Sequence, residues 1–129
     1  MTDPLPRSPM LTATLLEQLY QAGQRNFETV TLVGADLAGM DLKGADFSYA
    51  DLSGANLEGT NLRGADLSYA NLAEANLSGA DLRGAMLIGT DLKTATISGT
   101  QWTAADYDAE TTHFPPGFDP PAAGMKADR

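Results

Sequence analysis

The chain has 129 residues, which is enough for one domain and too few for two ordinary ones. It contains no cysteine, which excludes disulfide bonds, a thiol nucleophile and a thiolate metal site. Its formal net charge of -9 argues against direct binding to nucleic acid or anionic lipid, because both would repel it. Aromatic residues make up 7% of the chain, and much of its 43% hydrophobic fraction is Ala and Leu, so the composition indicates a narrow, regular core.

The first segment, 1–9, contains three prolines, an aspartate and an arginine. It lacks the basic start and following apolar run that a secretory signal requires, and we predict a flexible tail. No stretch of the sequence approaches the roughly 20 apolar residues of a membrane span. We therefore expect a soluble, cytoplasmic protein.

The next segment, 10–24, is predicted to be a capping helix. Ser8 and Pro9 indicate a helix start, the helix is expected from Met10 to Ala22, and Gly23 ends it. An apolar stripe runs along this helix and consists of Leu11, Leu15, Leu16 and Leu19. Such a stripe suits a helix that covers the apolar end of the region that follows. The alternative is an amphipathic helix that recognises a partner.

A five-residue period runs without slippage over 25–109. Each unit has one large apolar residue, usually with Ala two positions before it, Asp or Asn directly before it and often Gly two positions after it. The apolar positions are Phe27, Leu32, Leu37, Leu42, Phe47, Leu52, Leu57, Leu62, Leu67, Leu72, Leu77, Leu82, Leu87, Leu92, Ile97, Trp102 and Tyr107. These seventeen consecutive units are the main signal in the sequence.

Neither regular secondary structure fits this period. A helix would carry the repeated Leu around all its sides and would contain about ten interior glycines at roughly 1 kcal/mol each. A flat strand needs alternation by two, which a period of five cannot keep. The pattern instead predicts a chain that turns a corner every five residues. Gly supplies the positive φ at the third position of a type II turn, and Asp or Asn bonds locally to the backbone.

On these residues the sequence resembles the pentapeptide-repeat family, whose motif A-(D/N)-L-x-x is seen in Ala45-Asp46-Phe47 and Ala55-Asn56-Leu57. The resemblance covers about 85 residues and is greatest to small cyanobacterial members. It implies an all-β fold, a right-handed quadrilateral β-helix with twenty residues per coil. Seventeen units would make about four coils and a rod about 20 Å long. The inward Leu and Ala side chains would then stack on those of the neighbouring coils.

The last segment, 110–129, is predicted to be a Pro-rich cap followed by a disordered tail. Phe114 and Phe118 are expected to fold over the final coil, with disorder from Ala122 to Arg129. An alternative is that the final coil is only partly covered and pairs with a second copy. The sequence is therefore compatible with a monomer or with a homodimer through the C-terminal coil.

Residues twenty apart should lie above one another on one face of such a coil. On one face this places the outward residues Tyr49 and Tyr69 next to Met86 and Ile88, and Met86 stands where Asp or Asn is expected. An exposed Met and Ile beside two stacked Tyr predicts a partner-binding surface. The alternative is that the two tyrosines only shield the backbone ladder.

On a second face the same spacing predicts a column of basic residues beside Asp41 and Asp81. The column consists of Lys43, Arg63 and Arg83. We interpret these side chains as solvated charges that neutralise one another. The many other acidic residues sit at corner positions, where each has a local structural role. Taken together they raise a second role that the resemblance implies, mimicry of DNA by an acidic rod that inhibits a type II topoisomerase such as gyrase. A short rod with a basic column fits that role poorly.

The sequence offers no candidate catalytic group and no cofactor or metal site. Catalysis needs a cleft with converging groups, which a filled rod lacks, and the only histidine, His113, has no second His or Cys near it. We therefore predict a non-enzymatic interaction scaffold whose partner is another protein of unknown identity.

Overall fold

The computed structural model describes residues 11–128. Its elements are a helix α1 (Ala13–Gln21), a strand β1 (Asp106–Tyr107) and a strand β2 (Lys126–Ala127). Between α1 and β1 the chain forms successive coils that single parallel bridges hold together. The predicted tail over 1–9, the proposed helix start at Ser8 and Pro9, and Met10 lie outside the described residues. Within 11–128, no helix has the length and hydropathy that crossing a membrane demands.

The coils repeat every twenty residues. Asn26 is bridged to Asp46, Asp46 to Asp66, and Asp66 to Met86, each pair in parallel and twenty residues apart. A turn recurs every five residues, so one coil contains four turns. The chain is a β-helical solenoid, as expected, although its straight segments are mostly too short to form named strands.

Each corner is closed by local bonds that its own five residues supply. At a representative corner the N–H of Ala65 donates to the carbonyl of Leu62 at 3.0 Å, and Gly64 has a φ of 66°. The side-chain oxygen of Asn61 accepts from the N–H of Arg63 at 3.1 Å. Asp or Asn at this position and Gly at the third turn position thus have the backbone roles that the sequence predicted.

The interior consists of stacked columns of large and small apolar side chains. Leu52 and Leu72 are 1% and 0% exposed, and the rings of Phe27 and Phe47 stack with centroids 5.5 Å apart. At a few positions Thr replaces the inward Ala, and its hydroxyl donates to a carbonyl of the preceding coil. Thr90 donates to Leu67 in this way at 2.7 Å. The buried hydroxyl is therefore paired, which removes most of the cost of placing it inside.

Helix α1 lies on the N-terminal end of the solenoid. Leu16 is completely buried in the core, and the Tyr20 hydroxyl donates to the Lys43 carbonyl at 2.6 Å. The helix starts later than the sequence predicted, since Leu11 and Thr12 are not helical. The helix begins after Thr12, whose side chain accepts from the Leu15 N–H, because Leu11 is held by a backbone bond to Thr31.

The apolar stripe of this helix is also narrower than predicted. Leu15 is 43% exposed, whereas Leu16 is buried and Leu19 is half-buried. Leu11, Leu16 and Leu19 pack against the end of the solenoid, whereas Leu15 points away from it.

The C-terminal segment differs most from expectation. The coil register stretches to 22 residues between Asp91 and His113, and then returns to twenty where β2 pairs with β1 in parallel, Asp106 opposite Lys126. The predicted disorder from residue 122 is wrong for 122–128. These residues resume the coil, since the N–H of Lys126 donates to Ala105 at 2.8 Å, and Met125 is buried.

Aromatic residues fill the last turn of the core. Phe114 and Phe118 pack on Trp102 with ring centroids 6.0 and 4.9 Å away, and Phe114 also contacts Tyr107 at 5.8 Å. The prolines around them remove backbone donors in a segment that leaves the coil path. The segment over 113–125 therefore covers the final coil.

Candidate protein-interaction surface

The most exposed aromatic feature of the described residues is a pair of tyrosines at successive corners. Tyr49 and Tyr69 are 61% and 50% exposed, and their rings stack with centroids 5.1 Å apart and planes 13° apart. Both residues have a φ near 60°, at the turn position that Gly occupies in most other units. A left-handed backbone costs a bulky residue roughly 1–2 kcal/mol. The fold does not need tyrosine here, because glycine makes the same corner without this cost.

The stack continues onto the backbone of the next coil. Gly89 stands twenty residues after Tyr69, and a Cβ atom there would overlap the Cδ1 and Cε1 atoms of the Tyr69 ring. The ring of Tyr69 thus lies between the Tyr49 ring and a glycine that leaves room for it. At the other end of the column is Thr29, so one face of the Tyr49 ring is covered by no other ring.

Two apolar residues border this stack. Met86 is 42% exposed and takes the place of an aspartate in the column of Asp46 and Asp66. Ile88 is half-buried and so less exposed than expected. Side chains at this position of the coil lie close to the backbone, since Ser48, two coils before Ile88 in the same column, is buried. We call Tyr49, Tyr69, Met86 and Ile88 the tyrosine patch.

Carboxylates lie directly beside the tyrosine patch. Asp46 and Asp66 each accept a backbone N–H at 2.9 Å through Oδ1, which closes the local turn. The Ser48 hydroxyl lies 2.7 Å from Asp46 Oδ1 and 3.2 Å from Glu28 Oε1. Since the hydroxyl has one proton, two carboxylates from adjacent coils share a single donor next to Tyr49.

The basic column lies on the wall that precedes the tyrosine patch in each coil. Arg83 clasps Asp81 with two bonds, Nε to Oδ1 at 2.9 Å and a terminal nitrogen to Oδ2 at 2.7 Å. This bond to Arg83 lowers the pKa of Asp81 below its ordinary value, against a smaller opposing effect of burial. Lys43 and Arg63 are exposed. Of the three basic residues, Arg83 shows the mutual neutralisation that the sequence predicted.

We next consider cavities and metal-binding groups among the described residues. Residues 11–128 enclose no cavity, and no three His, Asp or Glu side chains among them converge on a site that could hold a metal ion. His113 is exposed and follows Asp91 in its column.

Of the four residues that the sequence singled out, Tyr49 stacks on Tyr69, the Tyr69 N–H donates to the Ile88 carbonyl, and Met86 lies two residues before Ile88. The structure adds two features. Gly89 supports the stack. The sequence contained a signal for this role, because Gly89 stands one coil after Tyr69 at a corner position. Glu28 and Asp46 both lie near the Ser48 hydroxyl, because the twenty-residue register places Glu28 one coil before Ser48. Sequence reasoning had assigned the corner acids to structural roles and so missed their position beside the patch.

Comparison with known proteins identifies the repeat. The family model described as pentapeptide repeats matches the chain in eight copies, over residues 26–64 and 60–99. None of the curated proteins compared matches the chain.

Solved structures of pentapeptide repeat proteins are also similar to this chain. A pentapeptide repeat protein from Nostoc PCC 7120 is 46% identical, with a TM-score of 0.88, and the match covers 95% of this chain and 100% of that one. Another, from the cyanobacterium Cyanothece 51142, is 30% identical with a TM-score of 0.60, over 81% of this chain and 57% of that one. A pentapeptide repeat protein from the thylakoid lumen of Arabidopsis thaliana is 32% identical with a TM-score of 0.54, over 66% and 63%.

Proposed function

The chain belongs to the pentapeptide-repeat family, and from that premise we propose that it is a non-enzymatic scaffold that binds another protein through the tyrosine patch. The observation that carries this proposal is the pair of stacked, exposed tyrosines at left-handed corners. Strained residues persist where the surrounding structure holds them in place, and they cluster at functional sites. Exposed aromatic and Met side chains are also enriched in protein interfaces.

The rod itself supplies the rigidity that such a surface needs. Backbone bonds between coils hold each corner, for example Tyr49 N–H to the Ser68 carbonyl at 2.9 Å and Tyr69 N–H to the Ile88 carbonyl at 2.8 Å. We also propose the right-handed, four-sided coil that the family resemblance implies, with α1 as the cap at one end. The twenty-residue register with four turns supports this geometry. A patch on such a wall loses little conformational entropy when it binds.

A comparison of cross-linked partners tests the proposal. Wild-type protein, the patch variant Tyr69→Ala/Ile88→Ser and a matched control, Val33→Ser/Glu58→Ala, are each cross-linked to host proteins. The control removes two exposed side chains from other faces. We expect a partner that is captured by the wild type and the control and is lost from the patch variant. Identical partners for all three proteins would contradict the assignment of the patch.

The DNA-mimicking alternative has weaker support. The column of Lys43, Arg63 and Arg83 interrupts the negative surface, and five coil steps at about 4.8 Å give a rod of only about 24 Å. A supercoiling assay with purified gyrase tests it, and inhibition that survives the patch variant would favour mimicry over the scaffold.

A further inference from the structure

The turn aspartates of this fold have one oxygen for the turn and one that can face outward. Asp81 shows how the outward oxygen is satisfied within the chain. Its Oδ1 accepts from the backbone N–H of Arg83 at 3.1 Å, and its Oδ2 accepts from the guanidinium of the same residue at 2.7 Å. The residue two positions after the aspartate thus supplies both the turn donor and the counter-charge.

The aspartates beside the tyrosine patch lack such a counter-charge. The residues two positions after Asp46 and Asp66 are Ser48 and Ser68, which are short and buried. Within 11–128, the ion pairs join Arg83 to Asp81 and Lys126 to Asp106, and neither reaches Asp46 or Asp66. The side-chain hydrogen bonds that these two aspartates make to other described residues use Oδ1. Their Oδ2 atoms therefore remain available to a cation from outside.

Two carboxylates meet at Ser48, the residue before Tyr49. Glu28 and Asp46 approach the same Ser48 hydroxyl from adjacent coils, which places two negative charges close together. Like charges at this separation repel, and a cation between them would remove the repulsion. The patch is therefore complementary in charge to a basic group. The segment of the partner that binds the patch is then expected to carry a cationic side chain.

The planar ring favours a guanidinium over an ammonium group. A guanidinium stacks on aromatic faces and presents a fork of donors to a carboxylate, whereas an ammonium is a compact, strongly hydrated charge. The chain itself contains this contact, since the guanidinium carbon of Arg25 lies 3.7 Å from the centre of the Tyr20 ring. The same pairing fits Tyr49 with a partner's arginine.

We propose that the tyrosine patch recognises an arginine in an extended segment of its partner. The guanidinium stacks on the face of Tyr49 that no other ring covers, and it donates to Asp46 and Glu28. Met86 lies two coils from Asp46, a distance of about 10 Å, which an extended chain spans in about three residues. An apolar side chain about three positions from the arginine then contacts Met86 and Ile88. This inference rests on the proposed function, because it names the chemistry of the partner at the same patch.

Fluorescence anisotropy with labelled peptides tests the inference. The probes are a peptide with three Arg-Ala-Ala-Leu units and a matched peptide in which lysine replaces every arginine, each titrated with protein at 0.15 M salt. We expect the arginine peptide to bind more tightly by up to about fivefold, which corresponds to the whole of an exposed cation–π contact and is therefore the largest difference expected between the two cations. Tyr49→Ala should remove this preference. Alanine fits the corner, because Ala104 has the same backbone conformation at φ 63°.

A charge-matched pair of variants separates the site from the overall negative charge. Asp46→Asn and Asp36→Asn each remove one charge, and each keeps an oxygen for the turn, as Asn56 does in the wild-type fold. Asp36 lies half a coil away from Asp46. We expect Asp46→Asn to weaken the arginine peptide severalfold and Asp36→Asn to leave its affinity nearly unchanged. Thermal unfolding curves of both variants check that the fold is intact.

Three results would overturn the inference. They are equal affinity for the arginine and lysine peptides, equal weakening by the two asparagine variants, or no binding of the arginine peptide at 1 mM protein. Each would leave the proposed function standing if the cross-linked partner is still lost from Tyr69→Ala/Ile88→Ser. If that partner is also retained, the proposed function falls as well.

Discussion

Replacement of Gly89 by alanine should destabilise the protein more than the same change at other corners. Gly89 has a φ of 70°, so alanine there has the cost of a left-handed backbone, roughly 1–2 kcal/mol. The new Cβ would also overlap the ring of Tyr69, which has to rotate away. That rotation breaks the stack of Tyr69 on Tyr49, and such a pair contributes about 0.5–1.5 kcal/mol beyond its buried area.

Gly64 supplies the matched control. Its φ is 66°, and a Cβ there would meet no atom within 4 Å. The backbone cost and the change in the entropy of the unfolded chain are then nearly the same in both variants. The difference in the free energy of unfolding between Gly89→Ala and Gly64→Ala isolates the displacement of the ring, and we expect about 0.5–1.5 kcal/mol.

Urea unfolding followed by circular dichroism measures this difference, and the near-ultraviolet tyrosine signal reports on the stack. In a Tyr69→Ala background the extra cost of Gly89→Ala should disappear, because the ring that it displaces is absent. Equal losses for the two glycine variants in the wild-type background would show that Tyr69 does not rest on Gly89. The description of the patch as a supported stack would then be wrong.

Three further predictions concern the core, the charges and the C-terminal segment. Leu67→Ala should cost about 3–5 kcal/mol in urea unfolding, because the side chain is fully buried, whereas Leu15→Ala should cost less than about 1 kcal/mol. Arg83 lowers the pKa of Asp81, so their pairing stabilises the fold above the ordinary pKa and is lost on acidification; the melting temperature of Arg83→Met should therefore fall less than that of the wild type between about pH 5 and pH 2. Deletion of 123–129 should lower the melting temperature and produce larger species in size-exclusion chromatography, because it uncovers the final coil.

The repeat could be predicted from the sequence because each corner is a self-contained unit. The Asp or Asn oxygen, the turn bond and the glycine act within five residues, as at Asn61 and Gly64, so the local pattern determines the path of the chain. The register of twenty residues then places Tyr49 beside Tyr69, and the predicted stack is observed.

The ends could not be predicted in the same way, because they depend on contacts that no period encodes. The two extra residues before His113 and the return of Lys126 to the coil occur where Phe114 and Phe118 pack on Trp102. Prolines and small residues in this stretch are typical of disordered tails as well as of ordered covers. The depth of Ile88 also escaped prediction, since the sequence shows that a position faces outward but not how closely the neighbouring side chains enclose it.

The free-energy terms at the corners of Tyr49 and Tyr69 show whether the turn itself requires tyrosine. Two tyrosines at left-handed corners cost roughly 2–4 kcal/mol in total relative to glycine, and their stack contributes about 0.5–1.5 kcal/mol. The difference between these ranges is about 0.5–3.5 kcal/mol unfavourable, before the area that the stacked rings bury and the greater unfolded-state entropy of glycine are counted, and both of these favour tyrosine. Glycine at ten other corners, such as Gly44 and Gly64, forms the same turn. The turn itself therefore does not require Tyr49 or Tyr69. An exposed aromatic stack that the turn does not require, beside Asp46 and Asp66, which form no ion pair with another described residue, fits the proposed binding surface.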